Sequence, residues 1–148
     1  MNKKNNFHEF NKTNKIWAIG SLHSSLDSFQ SIKNYIFSNF NVGDKLIFLG
    51  NVIGFRDSSK EIISEVLSFR FDLMAKFKLY SNDIVFLRGA QEEMFSKLLQ
   101  LQIAPNPIEI IEWIFSHGVD RTITSYGFDP NEFRNVASQG TIQINRLT

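Results

Sequence analysis

Three short polar loops hold most of the residues in this chain that could do chemistry. Each follows an apolar run that stops at or just before a glycine. The first reads Gly20-Ser21-Leu22-His23-Ser24, the second Gly50-Asn51-Val52-Ile53-Gly54-Phe55-Arg56-Asp57, and the third Arg88-Gly89-Ala90-Gln91-Glu92-Glu93. His23 brings an imidazole able to ligate a metal, and Asn51 a neutral amide oxygen that could join it or simply close a turn. Arg56 and Arg88 could contact an anion, or pair with Asp57 and Glu92. Glu92-Glu93 otherwise supplies the negative charge favoured in the first turn of a helix. Backbone amides at Gly20, Gly50 and Gly89 offer a metal-free anion site, although no Gly-x-Gly-x-x-Gly or Walker pattern accompanies them. The chain has no cysteine, which excludes disulfides, thiolate zinc sites, iron–sulfur clusters and cysteine nucleophiles. Its 3 histidines, His8, His23 and His117, are far apart in sequence, and His117 reads as a favourable cation at a helix C-terminus.

The runs before the loops are Lys15–Ile19, Lys45–Leu49 and Asp83–Leu87. Continuous apolar runs of this length predict strands buried on both faces. The segments between them have helical periodicity. Phe29, Ile32, Ile36 and Phe40 form one stripe; Ile63, Val66, Leu67, Met74 and Phe77 a second; Met94, Phe95, Leu98 and Leu99 a third. Ser58 and Glu61 read as a capping box at the start of the second helix. Asn106 with Pro107 and Glu109, and Asp129 with Pro130 and Glu132, read as two more helix starts, the first with an apolar face of Ile110, Trp113 and Ile114. Strands alternating with helices imply an α/β fold with a mainly parallel sheet and right-handed crossovers, followed by a helical segment. Residues 1–14 read as a mobile polar tail and 15–148 as the domain, with Thr141–Ile144 alternating like a strand. In such a sheet, ligands bind outside the carboxyl ends of the strands, where the three loops lie.

The loops and their frames resemble the calcineurin-like metallophosphoesterases, in the branch of the serine/threonine protein phosphatases and symmetrical dinucleoside tetraphosphatases. That family carries Gly-Asp-x-His-Gly, Gly-Asp-x-x-Asp-Arg-Gly and Gly-Asn-His-Glu after three successive strands. Gly43–Gly50 resembles the approach to the second motif, Ser58–Ile63 its exit, and Val85–Gly89 the approach to the third. Trp113, Gly118, Thr122 and Ser125-Tyr126-Gly127 resemble the helical insert that follows. The resemblance runs from about Lys15 to about Gly140. It implies a partial metallophosphoesterase-like fold, with the family's second sheet layer and further histidine ligands beyond it.

Matched residue by residue, the resemblance implies that the functional positions are lost. Ser21 stands where the family has a metal-binding Asp, and His23 keeps the His. Asn51 replaces the bridging Asp, Gly54 the second Asp, and Phe55 the Arg, with Arg56 one place on. Ala90 replaces the ligand Asn and Gln91 the catalytic His, while Arg88, Gly89 and Glu92 persist. The metal residues that remain are His23 and Asn51. Divalent cations such as Mn²⁺ or Mg²⁺, implied by the family alone, want anionic oxygens that these positions do not supply. Gln91 does not titrate near neutrality and cannot act as a general acid. The expectation is therefore an inactive or vestigial metallophosphoesterase-like chain with no catalytic residue and no cofactor. Its alternatives are a phosphoesterase with an atypical metal site completed by another chain, and a metal-free anion-binding or interaction module.

Composition bounds the partners. The 148 residues carry 16 basic and 15 acidic side chains, a net charge of +1, which gives no basic face for nucleic acid or a membrane surface. Hydrophobic residues make up 43%, enough for a packed core rather than a disordered chain. No apolar run approaches the ~18 residues of a membrane span, and no signal-like segment opens the chain, so the expected location is the cytoplasm. A sheet from part of a larger fold leaves an apolar face uncovered, which predicts self-association or a completing protein partner.

Overall fold

The computed structural model describes residues 8–139. Three β-α units come first. They comprise β1 (Ile16–Ile19), α1 (Leu26–Asn39), β2 (Lys45–Phe48), α2 (Ser59–Phe77), β3 (Ile84–Phe86) and α3 (Ala90–Leu98). Three further helices follow: α4 (Pro107–Ser116), α5 (Val119–Ser125) and α6 (Pro130–Gln139). The strands form one parallel sheet in the order β1-β2-β3, with Trp17 beside Leu46 and Leu46 beside Ile84. The α/β class and the parallel pairing agree with the sequence.

The register sorts the side chains into two faces, because successive residues of a strand point to opposite sides. Trp17, Ile19, Leu46, Phe48 and Ile84 share the face that α1 and α2 cover, and with Phe29, Ile36, Ile62, Phe69 and Leu73 they form the first core cluster. The other face carries Ile16, Ala18, Ile47, Leu49, Val85 and Leu87. Ile16 is 53% exposed, Leu49 49% and Leu87 45%, so the expected burial on both faces is corrected. The cause is topological: strands laid down in the order 1-2-3 by right-handed crossovers put both connecting helices on one side.

The core-facing stripe of α2 also differs from the expected one. Ile62, Val66, Phe69, Leu73 and Phe77 are buried, whereas Leu67 is 44% exposed. The helix is apolar on two sides, so periodicity alone did not select the one that packs. Its start lacks the expected box: Ser58 sits at the cap position but makes no side-chain cap hydrogen bond. At α4 the expected start holds, since the Asn106 side chain accepts from the Glu109 amide. Trp113, however, faces outward, and Ile111 joins Ile114 and Phe115 in the core.

The helices α3–α6 enclose a second core cluster of Met94, Leu98, Leu101, Ile111, Ile114, Phe115, Val119, Ile123, Phe133 and Ala137. A buried chain of hydroxyls fastens this cluster to the first. Ser24 Oγ lies 2.7 Å from Ser59 Oγ, and Ser59 Oγ lies 3.0 Å from Thr122 Oγ1. All three residues are at most 1% exposed.

Of the tail expected over residues 1–14, residues 1–7 lie outside the described residues. Residues 8–14 hold no helix or strand, and are tied by a bond from His8 Nε2 to the Asn82 carbonyl (2.9 Å) and one from the Asn14 amide to the Gly43 carbonyl (3.1 Å). The strand-like run Thr141–Ile144 also lies outside the described residues. Among the described residues, no helix is long and apolar enough to cross a membrane.

Candidate functional site

The three loops meet at the carboxyl ends of the strands, as the sequence predicts. The turns after β2 and β3 abut backbone to backbone: a Cβ at Gly50 would overlap the Gly89 amide, and one at Gly89 would overlap the Asn51 amide. Only glycine allows that approach. The first loop hangs on the second, since the Leu22 and His23 amides both donate to the Asn51 carbonyl at 2.9 Å and the Ser24 amide donates to Val52 O at 2.8 Å.

Glu92 organises the cluster. One oxygen accepts from the Asn51 and Gly89 amides, each at 2.8 Å, and the other from Val52 at 2.8 Å, with Ile53 at 3.4 Å. The carboxylate thus occupies the backbone donors that an external anion would use at Gly89 and the second loop. From sequence, Glu92 is expected as a helix-end charge, a partner for Arg88 and a persisting motif position, not as an acceptor for loop amides. A glycine cap followed three places on by Glu was the available signal.

Asn51 is engaged at both ends of its side chain. Nδ2 donates to Ser21 Oγ at 3.1 Å, and Oδ1 accepts from the Gln91 amide at 3.0 Å. Asn51, a remaining metal position, therefore bonds to Ser21, a lost one, and offers its carbonyl oxygen to the protein itself. Gln91 is buried, with Nε2 donating to the His117 carbonyl at 2.9 Å. Gly54 lies against Gln91, and Ala90 is the first residue of α3.

His23 stands beside the cluster, with its ring edge-on to Phe55 at a centroid distance of 5.0 Å. Its Nδ1 is buried without a partner. Arg56 donates to the His23 carbonyl at 3.0 Å. Arg88 pairs with Glu93, and Asp57 pairs with Arg121. The pairs expected from sequence, Arg88 with Glu92 and Arg56 with Asp57, are thus corrected: Glu92 is turned inward to the amides, Arg88 pairs with Glu93, and Asp57 pairs with Arg121 while Arg56 turns to the His23 carbonyl. His117 caps α4, with Nδ1 bonded to the Trp113 carbonyl at 2.7 Å, so only its main-chain carbonyl joins the site.

His23, Ser24, Asn51 and Phe55 all adopt positive φ, between 47° and 62°. Left-handed backbone costs a non-glycine residue ~1–2 kcal/mol, so the loops hold a local concentration of strain that the hydrogen bonds around Asn51 and Glu92 maintain.

The donor set does not fit a divalent cation. Ser21 and Asn51 are neutral and bonded to each other, Ala90 and Gly54 have no donor side chain, Glu92 is held by backbone amides, and Asp57 and Glu93 are paired with arginines. Hard cations require anionic oxygens turned toward a common point. Among the described residues, no group of three or more His, Asp or Glu side chains could hold a metal. The hydrogen bonds around Asn51 and Glu92 join the three loops. The chain matches no family model, no curated protein and no solved structure.

Proposed function

We propose that this chain is a catalytically inactive, metallophosphoesterase-like protein whose loop cluster has become a structural junction. The observation that carries the reading is the commitment of Asn51 at both ends, to Ser21 and to the Gln91 amide. A residue held in this way has its side-chain oxygen turned to a backbone amide and brings no negative charge for a metal. The order and spacing of the three loop motifs support the family, and the parallel β-α units place those loops together. Without a bound cation there is no acidified water and no clamp on phosphoryl oxygens, and Gln91 supplies no proton. Assay of the purified chain with p-nitrophenyl phosphate and a dinucleoside tetraphosphate, with added Mn²⁺, should give turnover no greater than that of a His23→Ala variant. Hydrolysis well above that control would overturn the reading.

The working surface of such a protein is the open sheet face. Ile16, Ala18, Ile47, Leu49, Val85 and Leu87 form an uncharged apolar patch, while Lys45 at its margin is paired with Asp83. Parallel sheets are ordinarily covered on both faces. Self-association or a completing protein partner through this patch is the interaction we assign.

One observation favours a second reading, an atypical metal site completed by another chain: the buried Nδ1 of His23 has no partner. Metal analysis after gentle purification decides it, since stoichiometric Mn²⁺, Fe or Zn dependent on His23 would replace the inactive reading.

A further inference from the structure

We infer that Gly54 and Gln91 are a coupled pair that latches the loop after β2 onto the turn between α4 and α5, so that a side chain at position 54 must displace that of Gln91. Gln91 is 3% exposed. The bond from its Nε2 to the His117 carbonyl fixes the carboxamide and turns Oε1 toward Gly54, where Oε1 has no hydrogen-bond partner. A Cβ at Gly54 would overlap Oε1, Cδ and Cγ of Gln91. The latch closes from the other side as well. The Phe55 amide donates to the Gly118 carbonyl at 3.3 Å, and a Cβ at Gly118 would press on the Phe55 ring. Gly54, Gln91, His117, Gly118 and Phe55 therefore form a closed circuit across the second loop, the start of α3 and the α4–α5 turn. That circuit spans the junction between the sheet core and the helical core.

The pair also deepens the inactive reading, on which this part rests. A side chain at position 54, carboxylate or otherwise, requires Gln91 to leave its pocket and release the His117 carbonyl. Restoring a ligand at that position by one substitution opens the latch before it builds a site. The volume has been taken over, in addition to the donor having been lost.

A double-mutant cycle on the full chain tests the pair by thermal unfolding of Gly54→Ala, Gln91→Ala and the double variant. The backbone strain of alanine at φ +95° is the same with or without Gln91, so it cancels in the cycle. Gly54→Ala alone should lower Tm by about 5 °C or more, and the double variant by clearly less than the sum of the two singles. Additive shifts would overturn the pairing. If Gly54→Ala does not fold, a folded double variant supports the pair and an unfolded one overturns it. Phosphatase activity in the unaltered chain would remove the inactive reading and leave the outcome of the cycle standing.

Discussion

The carboxylate of Glu92 accepts the main-chain amide of Asn51 at 2.8 Å, across 41 positions of sequence. Together with the Val52 and Gly89 amides, this makes Glu92 the internal anion of the loop cluster. Truncation to alanine leaves three short donors facing a void. Each buried, unsatisfied group costs ~1–3 kcal/mol, and water entering the space recovers part of it. Glu92→Ala should therefore lose about 3 kcal/mol in urea denaturation. A loss below about 1 kcal/mol would mean that the amides are satisfied without it.

The hydroxyl chain Ser24–Ser59–Thr122 joins the two core clusters through atoms that water does not reach. Thr122→Val keeps the shape and removes the hydroxyl. It should cost about 1–2 kcal/mol, and should cost less in a Ser59→Ala background, where its partner is already gone. Equal cost in both backgrounds would show that the Ser59–Thr122 bond contributes nothing.

Asp83 gives the chain an acid-range pH dependence. Burial by itself would raise its carboxyl, but the hydrogen bond from Lys45, the bond from the Tyr80 amide and the charge of Lys45 outweigh burial and hold it below the ordinary value. A depressed carboxyl contributes stability that is fully present above the unfolded value of about 3.9 and is lost as pH falls through the lower folded value. Asp83→Asn should flatten the stability profile in that window. At neutral pH it should also cost about 3 kcal/mol or more, because Lys45 is left buried and unpaired. An unchanged acid limb in denaturant midpoints from pH 2 to 6 would assign the dependence to other carboxylates.

The open sheet face predicts association. Leu49 lies on that face, 49% exposed. In sedimentation velocity the unaltered chain should populate species larger than a monomer, or bind a hydrophobic dye, and Leu49→Asp should suppress both. A monomer that binds no dye and is unaffected by Leu49→Asp would remove the face as an interaction surface.

Much of the fold was legible because it rests on local signals. Ile16–Ile19, Lys45–Phe48 and Ile84–Phe86 each stand within the apolar run read as a strand, and β-α alternation carried the parallel pairing. What periodicity could not supply was which side of an element meets another. Periodicity put Ile63 and Leu67 in the core stripe, whereas Ile62 and Phe69 are the buried ones, a choice made by packing against α1 and the sheet. The open face behind Ile16, Leu49 and Leu87 follows from strand order, a global property. At the site, the sequence located the loops and the residues in them. It did not reveal that Asn51 would bond Ser21 and the Gln91 amide, or that Glu92 would turn inward, because those bonds join positions 30 to 41 apart.

The central claim is that the loop cluster joins elements and holds no cation. Titration of the purified full chain with Mn²⁺, read by the loss of the free-ion electron paramagnetic resonance signal, tests it most directly. The account predicts no saturable binding, and traces that coincide for the unaltered chain and His23→Ala. Binding of one or more equivalents that is abolished by His23→Ala would contradict it.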